Sequence, residues 1–192
     1  RKKKTIKNQV IFTYHPETLK NNFNWNENFS KIANELNKFD FRVIITSQGH
    51  ENGTKRQINF IKKLIRSKKK FSFVKSLGVT EYFERLNESS FVIGNSSSGL
   101  SEVPSFKKPT INIGTRQDGR IFAKSIIDVK KVNIKNLQNA FNKIKSKKFK
   151  KMLIKVKNPY SQLNTADKIL SILKKHNFKK TSFKKFFDLK NI

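Results

Sequence analysis

Between Gly94 and Gly99 the chain sets three consecutive serines, Ser96, Ser97 and Ser98. Serine hydroxyls donate and accept hydrogen bonds, and glycine lets backbone N–H groups come close to a ligand. Leu100, Val103 and Phe106 follow at the spacing of one face of a short helix, so the loop forms that helix's start. Hydroxyls, the N–H groups of Ser98 and Gly99, and the positive end of the helix then converge on one place, which suits an anion. The plainer role for the same serines is to cap the helix. Three in succession between glycines exceed what a cap requires. Glu102 lies about one turn further on. A carboxylate there either closes a capping box or accepts hydrogen bonds from a pair of hydroxyls, as in a diol.

A second polar group follows a second strand. Thr110 to Ile113 is a β-branched run closed by Gly114, and it delivers Arg116, Gln117, Asp118 and Arg120 onto a loop. Arg116 is a cation for an anionic ligand or a surface ion-pair partner, while Gln117 and Arg120 hold the loop. His15 stands after a first strand, Val10 to Phe12, and Pro16 forces it into an extended conformation at the strand's mouth.

The elements that position these residues read as alternating strands and helices. Phe91 to Ile93 is an apolar run too short for a helix and bounded by Gly94, hence a buried strand. Phe41 to Thr46 and Phe71 to Val74 are further strands. The first leads into a loop from Ser47 to Gly53 and the second into Lys75-Ser76-Leu77-Gly78. Ile126 to Val129 is a short last strand. Helical spacing recurs in Phe29, Ile32, Ala33, Leu36 and Phe39, in Ile58, Ile61, Leu64 and Ile65, and in Leu137, Phe141 and Ile144. Thr80 with Glu81 and Glu84 approaches a capping pattern, which places another helix from Thr80 to about Asn87. Thr165 to Lys175 is amphipathic. Parallel strands with polar loops at their carboxyl ends make an α/β sheet, and ligands of such sheets bind outside those ends.

These residues carry a resemblance. The run from Gly94 to Arg120, GNSSSGLSEVPSFKKPTINIGTRQDGR, resembles the signature of the hydrolysing UDP-N-acetylglucosamine 2-epimerases, which release N-acetylmannosamine and UDP. Tyr14-His15-Pro16 and Lys157-Asn158-Pro159-Tyr160 fit the same family, and the resemblance covers about Val10 to Leu173. The non-hydrolysing enzymes carry an Asp-Ser-Gly-Gly type loop in place of Asn95 to Gly99 and lack the Arg-Gln-x-Gly-Arg run.

The resemblance implies a Rossmann-like parallel sheet flanked by helices, the carboxyl-terminal half of a GT-B-like two-domain enzyme. The nucleotide-binding domain would occupy residues 1–178, with a basic tail over 179–192 and the amino-terminal domain absent. It implies His15 and Arg116 as catalytic, and Ser96, Ser97, Ser98, Gly99 and Glu102 as binding residues, with Glu102 on the ribose. Ser76 and Leu77 would offer backbone to the nucleobase. Gln48 and His50 stand where the family has Asn-x-Asp, so Gln48 is carried over as a departure from the pattern. The general acid and base for C2 chemistry would lie in the missing domain. The substrate would be UDP-N-acetylglucosamine, with no cofactor and no metal; a homo-oligomer is compatible. A GDP-sugar epimerase of the family or half of a GT-B glycosyltransferase are the alternatives.

Composition bounds these readings. The chain has 192 residues, enough for one α/β domain, and a formal net charge of +30. Such a charge raises nucleic-acid binding. Against it, lysine far outnumbers arginine, comes with abundant Asn, Ile and Phe, and is spread along the chain as solvated faces, so neither nucleic acid nor membrane is expected as a partner. Cysteine is absent, which excludes disulfides and thiolate metal sites. His15, His50 and His176 are too scattered for a metal site, and no Walker A or Gly-x-Gly-x-x-Gly fingerprint occurs. No apolar run approaches a membrane span, and the basic start leads into polar residues, so the expected location is the cytoplasm.

Overall fold

Short runs of β-branched and aromatic residues bounded by glycine and polar loops form strands because their side chains can be buried on both faces of a sheet. In the computed structural model the described residues are 8–17, 24–47 and 54–178. Gln48, His50 and the basic tail over 179–192 lie outside them. The chain divides into two units, Arg1–Ser161 and Gln162–Ile192.

The first unit holds β1 (Gln9–Thr13), α1 (Trp25–Asn37), β2 (Arg42–Thr46), α2 (Thr54–Ile65), β3 (Phe71–Val74), α3 (Gly78–Glu88), β4 (Ser89–Gly94), α4 (Ser98–Ser101), β5 (Thr110–Ile113), β6 (Ile126–Val129), α5 (Ile134–Lys145) and α6 (Lys147–Ile154). A 3₁₀ turn, Val103–Phe106, follows α4, with Pro104 in its first positions. The strands form one sheet in the order β3-β2-β1-β4-β5-β6, and every pairing is parallel. This is a Rossmann-like α/β fold, and strand order reverses between β1 and β4. In the second unit α7 (Thr165–Lys175) carries Ile169, Leu170 and Leu173 at helical spacing.

Alternation divides the core. Val10, Phe12, Val43, Ile45, Phe91, Ile93, Ile111 and Ile113 face α1, α2 and α5, while Ile11 and Val92 face the opposite side with Leu86 and Val103. Phe12, Phe29 and Trp25 stack with ring centroids 4.6 and 4.8 Å apart. The Trp25 indole Nε1 donates to the Tyr14 carbonyl at 3.0 Å, which ties α1 to the exit of β1 just before His15.

Four element boundaries differ from the sequence expectation. The first helix begins at Trp25, because Asn24 caps it by accepting from the Glu27 N–H at 3.0 Å. The helix expected at Thr80 begins at Gly78, with no side-chain cap bond; Ser76 Oγ accepts instead from the Gly78 N–H at 3.2 Å. The helix after the serine loop is a single turn, so little macrodipole accumulates there. The basic stretch Lys147 to Lys151 belongs to a helix, α6, capped by Ser146 and anchored by buried Phe149.

Candidate functional site

The site grows from the place where the sheet order reverses. β1 and β4 end side by side, with Thr13 opposite Gly94. Gly94 has φ +133°, and a Cβ on it would lie 1.7 Å from the Thr13 carbonyl oxygen. Only glycine permits this approach. The Asn95 N–H then donates to the same Thr13 oxygen at 3.1 Å, which carries the pairing one residue past the strand. Beside it Thr13 Oγ1 and Thr46 Oγ1 share a hydrogen bond of 2.5 Å across the ends of β1 and β2.

A cleft of ≈ 770 Å³ opens over these strand ends. It brings together His15, Ser76, Leu77, Ser96, Ser98 and Glu102 of the residues singled out in the sequence. Thr13, Thr46, Ser47, Lys75, Val79, Tyr82 and Phe83 also line it, and these escaped sequence reasoning as functional residues. Leu77, Val79 and Phe83 give an apolar wall, while Lys75 and the hydroxyls give a polar one. A second depression, of ≈ 560 Å³, runs from Asn8, Phe41 and Lys70 at the amino ends of the strands along β2 and β3 to Val74 and Leu77, and contains none of His15, Ser96, Ser98 and Glu102.

The serines are held by one another and by Tyr82. Ser98 Oγ donates to Ser96 Oγ at 3.2 Å, and the Tyr82 hydroxyl shares a 2.8 Å hydrogen bond with Ser98 Oγ. The Ser98 N–H donates to Ser96 Oγ at 3.4 Å, and the Gly99 N–H to the Ser96 carbonyl at 3.2 Å. Both N–H groups expected to face a ligand are thus engaged within the loop, at long distances. Ser97 is exposed, off the cleft, and its carbonyl accepts from Ser101 Oγ at 3.0 Å. Gly99 is buried against β5: its carbonyl accepts from Thr110 Oγ1 at 2.7 Å, and a Cβ there would lie 2.8 Å from Thr110 Cγ2. Its glycine is required by packing.

Burial raises the pKa of the Glu102 carboxyl above its ordinary value. The Tyr82 phenol is pushed up to about 12, chiefly by burial, with the Ser98 hydrogen bond lowering it and the Glu102 charge raising it. Tyr82 is therefore a neutral donor or acceptor throughout the physiological range.

The loop after β5 supports the site from below. Gln117, fully buried, donates Nε2 to the Asn95 carbonyl at 2.7 Å, and Arg116 Nη1 donates to the same oxygen at 3.3 Å. The Arg116 side chain is exposed and does not line the cleft. Glu17 accepts from the Thr115 N–H at 3.0 Å and from Thr115 Oγ1 at 2.8 Å, over Gly114, whose φ is +78°. The Asn158-Pro159-Tyr160 turn clamps the same region. Asn158 Nδ2 donates to the Ser101 carbonyl at 2.7 Å, and the Tyr160 hydroxyl accepts from the Ile121 N–H at 3.0 Å. Among the described residues no group of three or more His, Asp or Glu side chains is placed to hold a metal ion.

Comparison with known proteins agrees with this architecture. The family model described as UDP-N-acetylglucosamine 2-epimerase matches residues 1–174. Polysialic acid biosynthesis protein P7 of Escherichia coli is 32% identical over 191 residues, covering 96% of this chain and 47% of that protein. The GDP/UDP-N,N'-diacetylbacillosamine 2-epimerase (hydrolyzing) of Campylobacter jejuni is 35% identical over 189 residues, covering 97% of this chain and 48% of that one. The crystal structure of UDP-GlcNAc 2-epimerase from Neisseria meningitidis, bound to UDP-GlcNAc, superposes with a TM-score of 0.71 at 19% identity, over 88% of this chain and 45% of that one. The chain spans about half the length of the curated relatives it matches. It belongs to the UDP-N-acetylglucosamine 2-epimerase family.

Proposed function

We propose that the chain supplies the UDP-binding half of a hydrolysing UDP-N-acetylglucosamine 2-epimerase, the carboxyl-terminal half of a two-domain enzyme, which releases N-acetylmannosamine and UDP in the cytoplasm. The observation that carries this reading is the meeting of His15, Ser96, Ser98 and Glu102 in one cleft at the reversal of strand order. A leaving UDP carries negative charge that must be held as the C1–O bond breaks. The Ser96 and Ser98 hydroxyls and the Lys75 ammonium supply donors for the diphosphate, and His15 stabilises charge that develops during cleavage. Arg116, which does not line the cleft, is tethered to the Asn95 carbonyl and adds positive charge to the loop behind the serines. Glu102 accepts from the two ribose hydroxyls. The base lies along Leu77, Val79 and Phe83, with the backbone of Ser76 and Leu77 at its edge.

In the reaction the C2 proton leaves as UDP departs from C1, giving an unsaturated sugar. Water then returns a hydroxyl to C1 and a proton to C2 from the opposite sense. These steps need a general base and a general acid. Among the described residues Glu102 is the one carboxylate lining the cleft, so no pair of carboxylates is at hand to share the two roles. The expectation is that the 192-residue chain alone leaves UDP-N-acetylglucosamine unchanged. Joined to the segment that completes the length of its relatives, it should yield N-acetylmannosamine and free UDP with no added metal or nicotinamide cofactor. Proton NMR of the product mixture tests this: turnover by the chain alone, or a nucleotide-linked epimer as final product, contradicts it. A guanine nucleotide is the second reading, favoured by the name of the C. jejuni relative. Parallel titrations with UDP and GDP separate the two.

A further inference from the structure

One side chain joins the loop after β4 to the residue after β1. Asn95 is fully buried, and its amide meets the His15 backbone twice. The His15 N–H donates to Asn95 Oδ1 at 2.6 Å, and Asn95 Nδ2 donates to the His15 carbonyl at 2.9 Å. The two contacts fix the orientation of the amide, since turning it over would set donor against donor and acceptor against acceptor. An amide carries a donor and an acceptor on the same carbon at every ordinary pH, whereas an ionised carboxylate offers two acceptors. The Asn95 carbonyl in turn takes Gln117 and Arg116, and its N–H is spent on Thr13. Loops following β1, β4 and β5 therefore meet on a single residue that does not itself line the cleft.

We propose that Asn95 is a positioning residue, whose side-chain amide brackets the His15 backbone and sets where the imidazole stands at the mouth of the cleft. This rests on the reading that a nucleoside diphosphate occupies the cleft. Two-sided hydrogen bonding explains why an amide stands here. A shorter polar group satisfies one side of His15 only, and a charged carboxylate satisfies the N–H while repelling the carbonyl.

Two measurements on the 192-residue chain test the proposal. The first needs no variant: a through-hydrogen-bond coupling between the His15 amide nitrogen and the Asn95 side-chain carbonyl carbon should be visible by NMR. Its absence overturns the bracket. The second compares UDP affinity in Asn95→Asp and Asn95→Ala with that of the parent at about pH 8 and about pH 5, either side of where a buried aspartate titrates. A protonated aspartic acid has one O–H donor and one C=O acceptor, as the amide has. The Arg116 guanidinium, 3.3 Å from the backbone carbonyl of the same residue, is the charged group bonded to Asn95, and His15 and Glu102 are titratable groups of the adjoining cleft. Asn95→Asp should bind about tenfold more weakly than the parent at the higher pH and within about twofold of it at the lower, a change of about 1 kcal/mol. Asn95→Ala should be impaired by a similar factor at both. An Asn95→Asp ratio that does not recover at low pH, or that matches the parent at high pH, contradicts the proposal. If the parent itself binds no UDP, the nucleotide reading fails, and the NMR coupling still decides the bracket.

Discussion

Glu102 sits half-buried at the edge of the cleft it shares with Ser96, Ser98 and Tyr82, and burial raises its carboxyl pKa. A carboxyl with a folded pKa above its unfolded value favours folding in its protonated form. That contribution is complete below the unfolded pKa and is lost as pH rises through the folded one. Ligand binding runs the other way, because the ionised carboxylate is the better acceptor for ribose hydroxyls. UDP affinity should therefore fall as pH drops through the raised pKa, at higher pH than for an ordinary carboxylate. Glu102→Gln should weaken UDP near neutrality and flatten that profile, while leaving inorganic pyrophosphate binding nearly unchanged. Calorimetry across pH reads both. Equal losses for the two ligands would make Glu102 a folding residue. At this scale Ser96, Ser98, His15 and Glu102, which the cleft brings together, were conspicuous in the sequence as polar residues clustered at strand ends; Ser97 and Arg116 were as conspicuous, yet neither lines the cleft. The sequence did not show Asn95, whose partner is 80 positions away. Nor did it show Tyr82, which sits within a helix and reads as one more aromatic.

The elements matter through how closely β1 and β4 end. Gly94→Ala would drive a Cβ into the Thr13 carbonyl and force a left-handed φ on an alanine. The expected cost is at least about 3 kcal/mol, seen as a lower denaturation midpoint. An alanine variant as stable as the parent would mean that the two strand ends separate more easily than their pairing implies. On the face of the sheet that packs against α1, Phe29→Ala removes a fully buried ring stacked on Phe12 and Trp25, and should cost about 3–5 kcal/mol in the same denaturation experiment. The strands were legible because each is a short apolar run closed by glycine or a polar loop. Helix starts were less so. Thr80 looked like a cap, yet the chain turns earlier at Gly78, where a positive φ is available. The Lys147 to Lys151 run hid α6, since only Phe149 of that helix is fully buried.

At the scale of the whole molecule, the chain spans about half the length of the curated relatives it matches, and on the proposed reading its cleft holds one side of a nucleotide sugar. In the joined enzyme His15→Ala should lower kcat more than it raises KM, if His15 acts on charge that appears only as the bond breaks. A rise in KM with kcat unchanged would reassign it to ground-state binding. The most direct test of the central claim is a calorimetric titration of UDP into the 192-residue chain and into its Ser96→Ala/Ser98→Ala double variant. The account predicts single-site binding by the parent, weakened in the double variant by about 1–3 kcal/mol for each charged hydrogen bond lost, with Ser97→Ala close to the parent. Equal affinity in parent and double variant would contradict it.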